Sequence, residues 1–360
     1  MATIRRKTKV IKIGKVHIGG NFPVAIQSMV KCKVSDTEAA IQQIKRLEKC
    51  GCEIVRAAIK DKSDAAALKK IKSKISIPIV ADIHFDWHLA LTAIENGVDK
   101  IRLNPGNIYK KEQIKEVVSA AKMHHIPIRV GLNSGSLPGV KYQVSGVKKG
   151  IDQRLVKGAL DYIKILEGFG FYDIVISLKA SNIPDMVHAY RKMSEACEYP
   201  FHLGLTATGL PEQGAIKSSI AVGALLLDGI GDTIRISLTD KPESEIKIAR
   251  DILQALNLRH FGPEIISCPT CGRCEVDLIK IVRDLESKLS TVNCELSTRP
   301  PKVAVMGCVV NGPGEAKEAD IGIAFGKNAG LLFKKGKAKS RVLFKDSVNT
   351  LLKEIRRINV

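Results

Sequence analysis

Aromatic residues are scarce in this 360-residue chain, at 4% with a single Trp. So few ring faces argue against an all-β sandwich and against a nucleic-acid reader that stacks bases. Long apolar runs are missing as well. The best of them, from Ala221 to Leu227, stops at Asp228, well short of the ~20 residues of a membrane span. Acids are sparse at both ends. None precedes Asp36, and between Lys327 and Arg357 ten Lys or Arg face only Asp346 and Glu354. The basic N-terminus (Arg5, Arg6, Lys7, Lys9, Lys12, Lys15) has no apolar block behind it, which sets the expectation of a cytoplasmic protein. Nine cysteines is an odd count for a disulfide scaffold. In a reducing cytosol most are expected as free thiols. Cys32, Cys50, Cys52 and Cys197 lie in apolar or mixed segments and read as small core residues.

What is present is enough for a sizeable core: 45% of residues are apolar and 26% charged. The net charge of +20 favours something acidic, whether nucleic acid, a phosphorylated metabolite, an acidic protein or an anionic membrane. A solvated lysine-rich surface explains any single basic stretch equally well.

Residues 24–256 alternate short β-rich runs with segments of helical apolar spacing. The runs are VAIQSMV, EIVRAAI, PIVADIH, KIRLNP, PIRVGLN, DIVISLK, FHLGLTAT and DTIRISL. Gly51, Gly97, Gly170 and Gly231 punctuate helix ends before several of them. Eight strand–helix units predict an α/β fold with an N-terminal (β/α)8 TIM-like barrel over 1–260. A doubly wound open sheet is the alternative, and no dinucleotide fingerprint supports it. The opening IKIGKVHIGG reads as a hairpin capping the barrel bottom. The long, glycine-rich connection 133–150 reads as an active-site loop.

Chemistry in such a barrel sits at the C-terminal ends of the strands. Arg56, Arg102, Arg129, Lys179 and Arg235 each fall within a strand or at its end. Asp82, His84, Asn104, Asn133, His202, Thr206 and Ser237 lie around them. Arg56 with Asp82 alone is a buried ion pair. Five converging cations are not neutralised by one aspartate, and an unpaired buried charge costs several kcal/mol. The missing anion is therefore read as a ligand, and guanidinium forks suit a diphosphate. His84 in ADIH and the buried-strand His202 read either as proton or orientation groups or as hydrogen-bonded neutral histidines. His124 and His125 read as surface residues.

After Gly262 the rhythm changes, and 261–360 reads as a second, α+β domain. ISCPTCGRCEVDL places Cys268, Cys271 and Cys274 at CxxCxxC spacing. KVAVMGCVVNGPGEA places Cys308 before a Gly-Pro-Gly turn, with Cys294 between the two elements. A zinc ribbon wants a second CxxC; a single distant Cys fits an iron–sulfur cluster better. The fourth ligand stays open between Cys274, by spacing, and Glu315, past the turn. Asn311 is a candidate supporting donor.

These motifs resemble the 4-hydroxy-3-methylbut-2-enyl diphosphate synthase family, a cluster enzyme family of non-mevalonate isoprenoid synthesis. The resemblance runs through GGNFPVAIQSM, VRAA, ADIHF, IRLNPGN, IRVGLNSGS, ISLKAS, HLGLT, GIGDTIRISL, CPTCGR and GCVVNGPGEA, and its length is that of the two-domain bacterial type. It implies reduction of 2-C-methyl-D-erythritol 2,4-cyclodiphosphate by two electrons with loss of water. It implies a [4Fe–4S] cluster on Cys268, Cys271, Cys308 and Glu315, leaving Cys274 outside. It also implies a homodimer with an active site shared between subunits, and flavodoxin or ferredoxin as electron donor, for which the basic C-terminal segment is a candidate dock. The resemblance implies no membrane and no nucleic-acid partner. On these lines Glu315, Asp82 and His84 are the candidate catalytic residues. Arg56, Arg102, Asn104, Arg129, Asn133, Lys179, Thr206, Arg235 and Ser237 are the candidate substrate-binding residues. One position departs from the family pattern: Ala207 stands where an acid typically follows the threonine. Glu212 or His84 are candidate substitutes. A zinc-stabilised nucleic-acid-binding protein is the competing class, favoured by net charge and CxxC. A pterin-type barrel enzyme with a structural Cys segment is a third reading, which leaves Cys308 and Glu315 idle.

Overall fold

The computed structural model describes residues 4–136, 150–206, 208–289 and 301–358. The chain divides into two compact units, Met1–Arg259 and His260–Val360.

The first unit opens with a hairpin in which β1 (Ile11–Ile13) pairs antiparallel with β2 (Val16–Ile18). The eight β-rich runs then form parallel strands: β3 (Ala25–Met29), β4 (Ile54–Ile59), β5 (Ile79–Ile83), β6 (Lys100–Leu103), β7 (Ile128–Asn133), β8 (Ile174–Lys179), β9 (His202–Leu203) and β10 (Thr233–Ile234). Their order is β8-β7-β6-β5-β4-β3-β10-β9, and a bridge between Ile176 and Phe201 joins the two ends into a barrel. Helices α1 (Thr37–Lys49), α2 (Lys62–Lys72), α3 (His88–Glu95), α4 (Lys111–Met123), α5 (Ile151–Gly168), α6 (Ile183–Ala196), α7 (Pro211–Leu227) and α8 (Pro242–Ala255) follow the strands in turn.

Local chemistry sets the helix ends. The Asp36 carboxylate accepts from the Ala39 N–H at 3.1 Å and starts α1; Asp61 does the same for α2 from Asp64 at 3.0 Å. At the end of α7 the left-handed residue is Gly229, with φ +74°, and the Ile230 N–H reaches back to the Leu225 carbonyl. Gly231, expected in that role, instead lies two residues ahead of β10, beyond the helix cap. The cysteine expectation is also corrected. Only Cys52 is buried, and burial pushes its thiol up to about 12. Cys32, Cys50 and Cys197 are half-buried. Cys50 and Cys197 cap the C-terminal ends of α1 and α6, and Cys32 sits in the turn after β3, all outside the sheet–helix interface.

The hairpin closes one end of the barrel. Its Ile11, Ile13 and Ile18 form a buried cluster with Ala25, Ile54, Val80 and Val175, which lie at or near the starts of their strands. Each such fully buried side chain is worth roughly 1.5–3 kcal/mol. The N-terminal end is thereby filled with hydrocarbon, and the C-terminal end is left for polar side chains.

The second unit is a five-stranded mixed sheet of β11 (Glu264–Ser267), β12 (Lys302–Met306), β13 (Ile321–Phe325), β14 (Gly330–Lys334) and β15 (Lys337–Val342), in that order. The first three strands run parallel and the last two antiparallel. Helices α9 (Leu278–Leu289), α10 (Gly312–Glu318) and α11 (Ser347–Ile358) complete it. The two-residue alternation of β12 and β13 sorts large from small. Val303, Val305, Ile321, Ile323 and Phe325 share one core with Leu285 of α9 and Leu351 and Ile355 of α11. Ala304, Met306 and Ala324 turn the other way and pack with Ala316 of α10. A Cβ on Gly322 would lie 2.7 Å from the Ala316 carbonyl oxygen, so α10 rests directly on the sheet. That contact fixes the start of α10 a few residues after Cys308.

Candidate active site

Alternation along the barrel strands decides which side chains face inward. Ala25, Ile54, Val80 and Val175 pack on the hairpin inside the barrel. Residues two and four positions later therefore face the interior towards the C-terminal end. On β4 this gives Arg56; on β5, Asp82; on β8, Ser177 and Lys179. Arg102 pairs in register with Asp82 and Arg129 with Arg102, which carries the same face across β6 and β7.

Asp82 stands at the centre of this set. Its Oδ1 accepts from Arg102 Nη1 at 3.1 Å, and its Oδ2 lies 3.6 Å from Arg56 Nε and 3.5 Å from His84 Nε2. Burial alone raises a carboxyl; here Arg56, His84, Arg102 and Arg129 together outweigh it and hold Asp82 well below the usual carboxylate range. Arg102 also donates from Nη2 to the Gly131 carbonyl at 2.8 Å, and Nη1 lies 3.3 Å from His84 Nε2. A Cβ on residue 131 would sit 2.6 Å from Arg102 Nε, so only glycine lets that guanidinium cross β7. Arg56 leans on the Met29 thioether, with Nη2 2.9 Å from Sδ.

The remaining cations lack such partners. Arg129 is 1% exposed, and its Nε and Nη1 have no hydrogen-bond partner in the protein. Burial, then Arg56 and Arg102, lowers its pKa strongly. Lys179 is buried and its pKa is likewise driven down by burial and then by Arg235. Arg235 is brought down to about 10, first by burial, and its Nε is unpartnered. Buried donors thus outnumber acceptors around Asp82, even with the buried Glu245 acting on Arg235 from further out. An anion supplies what this arrangement lacks.

The other predicted residues stand as follows. Asn104 is buried in the turn after β6, its Oδ1 accepting from the Gly106 N–H at 3.2 Å. Asn133 ends β7 and is half-buried, as is Thr206 beyond β9. Ser237 has a buried Oγ without a protein partner, and its carbonyl accepts from Thr208 Oγ1. His84 is half-exposed at the mouth of the set. His202 is fully buried, with Nδ1 2.7 Å from Thr233 Oγ1 and Nε2 unpartnered. Burial, then Arg129 and Lys179, holds its imidazole well below the ordinary value. His124 and His125 are exposed, and so is Glu212, in the first turn of α7. Ala207, Cys294 and most of the 133–150 connection lie outside the described residues.

Sequence reading missed Lys100, Gln27 and Ser177. All three are buried; among the described residues the Lys100 Nζ and both Gln27 amide atoms have no hydrogen-bond partner, and the Ser177 hydroxyl lies beside that of Tyr190. The signal was available: Lys100 precedes Arg102 by two residues on one strand, and Gln27 follows Ala25 by two.

In the second unit, Cys268 follows β11 and Cys308 follows β12, with Ser267 and Val305 in register. The two loops therefore leave the same end of adjacent parallel strands. The Gly307 N–H donates to Cys268 Sγ at 3.4 Å. Backbone N–H groups of Asn311, Val310 and Gly312 pull the Cys308 thiol below its ordinary value. Cys271 is exposed, and Glu315 is exposed in the first turn of α10. Cys274 packs on the core and donates to the Val276 carbonyl at 3.2 Å. Among the described residues no three His, Cys, Asp or Glu side chains stand close enough together to hold a metal. The donor set nonetheless fits a thiolate-bound cluster in chemistry: three thiols on two loops of one sheet end and a carboxylate in the first turn of α10, with the Cys308 thiol drawn below its ordinary value.

No helix among the described residues is long and apolar enough to cross a membrane. Solved structures show the barrel alone. Dihydropteroate synthase from Stenotrophomonas maltophilia superposes with a TM-score of 0.51 at 13% identity, covering 69% of this chain and 98% of that one. The Xanthomonas albilineans dihydropteroate synthase gives 0.51 at 14%. Similarity over the whole chain lies elsewhere. A 4-hydroxy-3-methylbut-2-en-1-yl diphosphate synthase (flavodoxin) from Fusobacterium nucleatum is 51% identical over 355 residues, covering 99% of this chain and 97% of its own length. The enzyme of the same description from Caldanaerobacter subterraneus is 51% identical over 359 residues, covering 99% of each. The GcpE TIM-barrel domain matches residues 8–250 and the GcpE protein C-terminal domain residues 264–357. The chain belongs to the GcpE family.

Proposed function

We propose that the protein is a 4-hydroxy-3-methylbut-2-en-1-yl diphosphate synthase that reduces 2-C-methyl-D-erythritol 2,4-cyclodiphosphate. Two electrons and two protons enter, a ring C–O bond opens, and one oxygen leaves as water. One observation supports the reading above the others: buried cations around a single carboxylate at the open end of the barrel, in a chain about half identical to enzymes of that description.

Arg56, Arg102, Arg129, Lys179 and Arg235 bind the diphosphate, with Asn104, Asn133, Thr206 and Ser237 adding hydrogen bonds. The same cations stabilise the diphosphate oxygen that gains charge when the ring opens. Asp82 is too strongly ionised to give up or store a proton near neutrality, so it orients Arg56 and Arg102. His84, half-exposed and within 3.5 Å of Asp82, is the group placed to pass a proton at Nε2. A [4Fe–4S] cluster on Cys268, Cys271, Cys308 and Glu315 supplies the electrons when bound. Flavodoxin is the donor, in keeping with the description of the relatives. A homodimer with a shared active site and a cytoplasmic location complete the reading.

The test is anaerobic turnover. Reconstituted protein with reduced flavodoxin should convert the cyclodiphosphate to the linear hydroxy-diphosphate, identified by mass spectrometry. Protein with full cluster content and no conversion under reduced flavodoxin or reduced viologen contradicts the reading.

A further inference from the structure

Lys100 has no place in the reading above, and its position is costly. It is fully buried at the start of β6, in register with Val80, whose side chain lies inside the barrel. Its Nζ has no hydrogen-bond partner among the described residues. An amine in that state loses its hydration whether it is charged or neutral. Nothing in the fold requires it, since Ile, Val or Met would fill the same volume without a polar atom.

The surroundings make the choice harder to explain as packing. The titratable groups facing the interior with it are Arg56 on β4, Asp82 on β5, Arg129 on β7, Lys179 on β8, His202 on β9 and Arg235 just after β10; Arg102 is on its own strand. The only carboxylate among them is Asp82, already engaged by Arg56 and Arg102. The Gln27 amide and His202 Nε2, both buried, are likewise without hydrogen-bond partners among the described residues. The barrel centre is therefore a donor-rich floor beneath the open end, short of negative charge.

We propose that Lys100 is the floor of the anion site, taking up a proton from solvent as the diphosphate binds and so completing its charge. The inference rests on the diphosphate reading of the site. Burial, and then Arg129 and Arg56, pushes the amine well below its ordinary pKa in the free protein and so favours its neutral form. An arriving diphosphate reverses the local field, and the ammonium form becomes the favoured one. The bonds are simple: water or buffer gives up one proton, and the Nζ lone pair accepts it. A lysine serves here where a fifth guanidinium does not, because arginine stays charged and would repel Arg129 in the free protein.

The experiment is calorimetric titration of a diphosphate monoester, methyl diphosphate, into the full-length protein. It is run in two buffers of different ionisation enthalpy at about pH 8.5, above the range of histidine. Wild type should take up close to one proton more than Lys100→Met, and the variant should bind at least tenfold more weakly. Equal proton uptake or equal affinity in the two proteins overturns the proposal. Should Lys100→Met not fold, Lys100→Gln replaces it, and binding to wild type without proton uptake overturns the proposal on its own. Arg129→Ala separates the two levels. If it too keeps wild-type affinity, the diphosphate site is misassigned; if only Lys100→Met keeps it, the failure belongs to Lys100.

Discussion

The two units treat charge in opposite ways. The barrel buries it: Arg56, Lys100, Arg102, Arg129 and Lys179 are all at most 7% exposed, around one buried aspartate. The second unit displays it. Lys337, Lys339 and Arg341 are all exposed on the edge strand β15, and Cys271 and Glu315 lie at the surface. Buried charge is expensive, so a fold that retains it without internal partners is built around a ligand. Exposed charge costs little and serves approach and docking. The barrel is therefore the preorganised half, whereas the thiols gain from converging only when a cation lies between them.

That contrast can be broken in several ways, the largest effect first. Cys308→Ala should abolish cluster iron and turnover while diphosphate affinity stays within about twofold, as for independent sites. Calorimetry beside an iron assay checks both, and a loss of diphosphate binding would tie the two sites together. Arg129→Ala should do the converse. Its diphosphate affinity should fall about a hundredfold or more, since truncating one partner of a buried charge pair costs ~2–5 kcal/mol. Its iron content should match wild type.

Asp82→Asn sharpens the comparison within the barrel. It leaves Arg56 and Arg102 without their shared carboxylate, which should cost about 3–5 kcal/mol in denaturant unfolding. A stability unchanged from wild type would remove Asp82 from its central role. Glu315→Ala removes the one carboxylate ligand and keeps the three thiolates, so it should be milder, weakening the cluster and slowing turnover about 10- to 100-fold. Diphosphate binding should be intact in the same protein.

The smallest effect is on pH. His202 is held neutral in the fold, so only the unfolded chain binds its proton below about pH 6.5. Barrel stability should therefore fall as pH drops below that value. It should fall again below about pH 4, where the unfolded chain protonates the Asp82 carboxyl and the fold does not. Melting curves across this range check the sign, and a stability that rises on acidification contradicts it.

Much of this was legible in the sequence. The eight strands announce themselves as β-branched runs between helical segments, and closure follows from their count. The cations at the strand ends were legible because polar residues are out of place in strands covered on both faces. Lys100 was passed over although it opens the run KIRLNP two residues before Arg102, because its depth is not legible there. Its burial depends on register with Val80, which appears only once β5 and β6 are paired. Gly229 was passed over for Gly231 because both follow an apolar helix end, and only backbone geometry separates them. The roles of Asp82 and His84 separate in the same way. Two residues apart in ADIH, they differ in surroundings, and three flanking arginines fix Asp82 as an anion against the opposing effect of burial.

The most direct test of the division between the halves is iron and acid-labile sulfide per chain, with a visible spectrum, on protein purified anaerobically. The account predicts a brown protein with about four irons and four sulfides per chain. A colourless protein with stoichiometric zinc and no sulfide, even after attempted reconstitution, would contradict it.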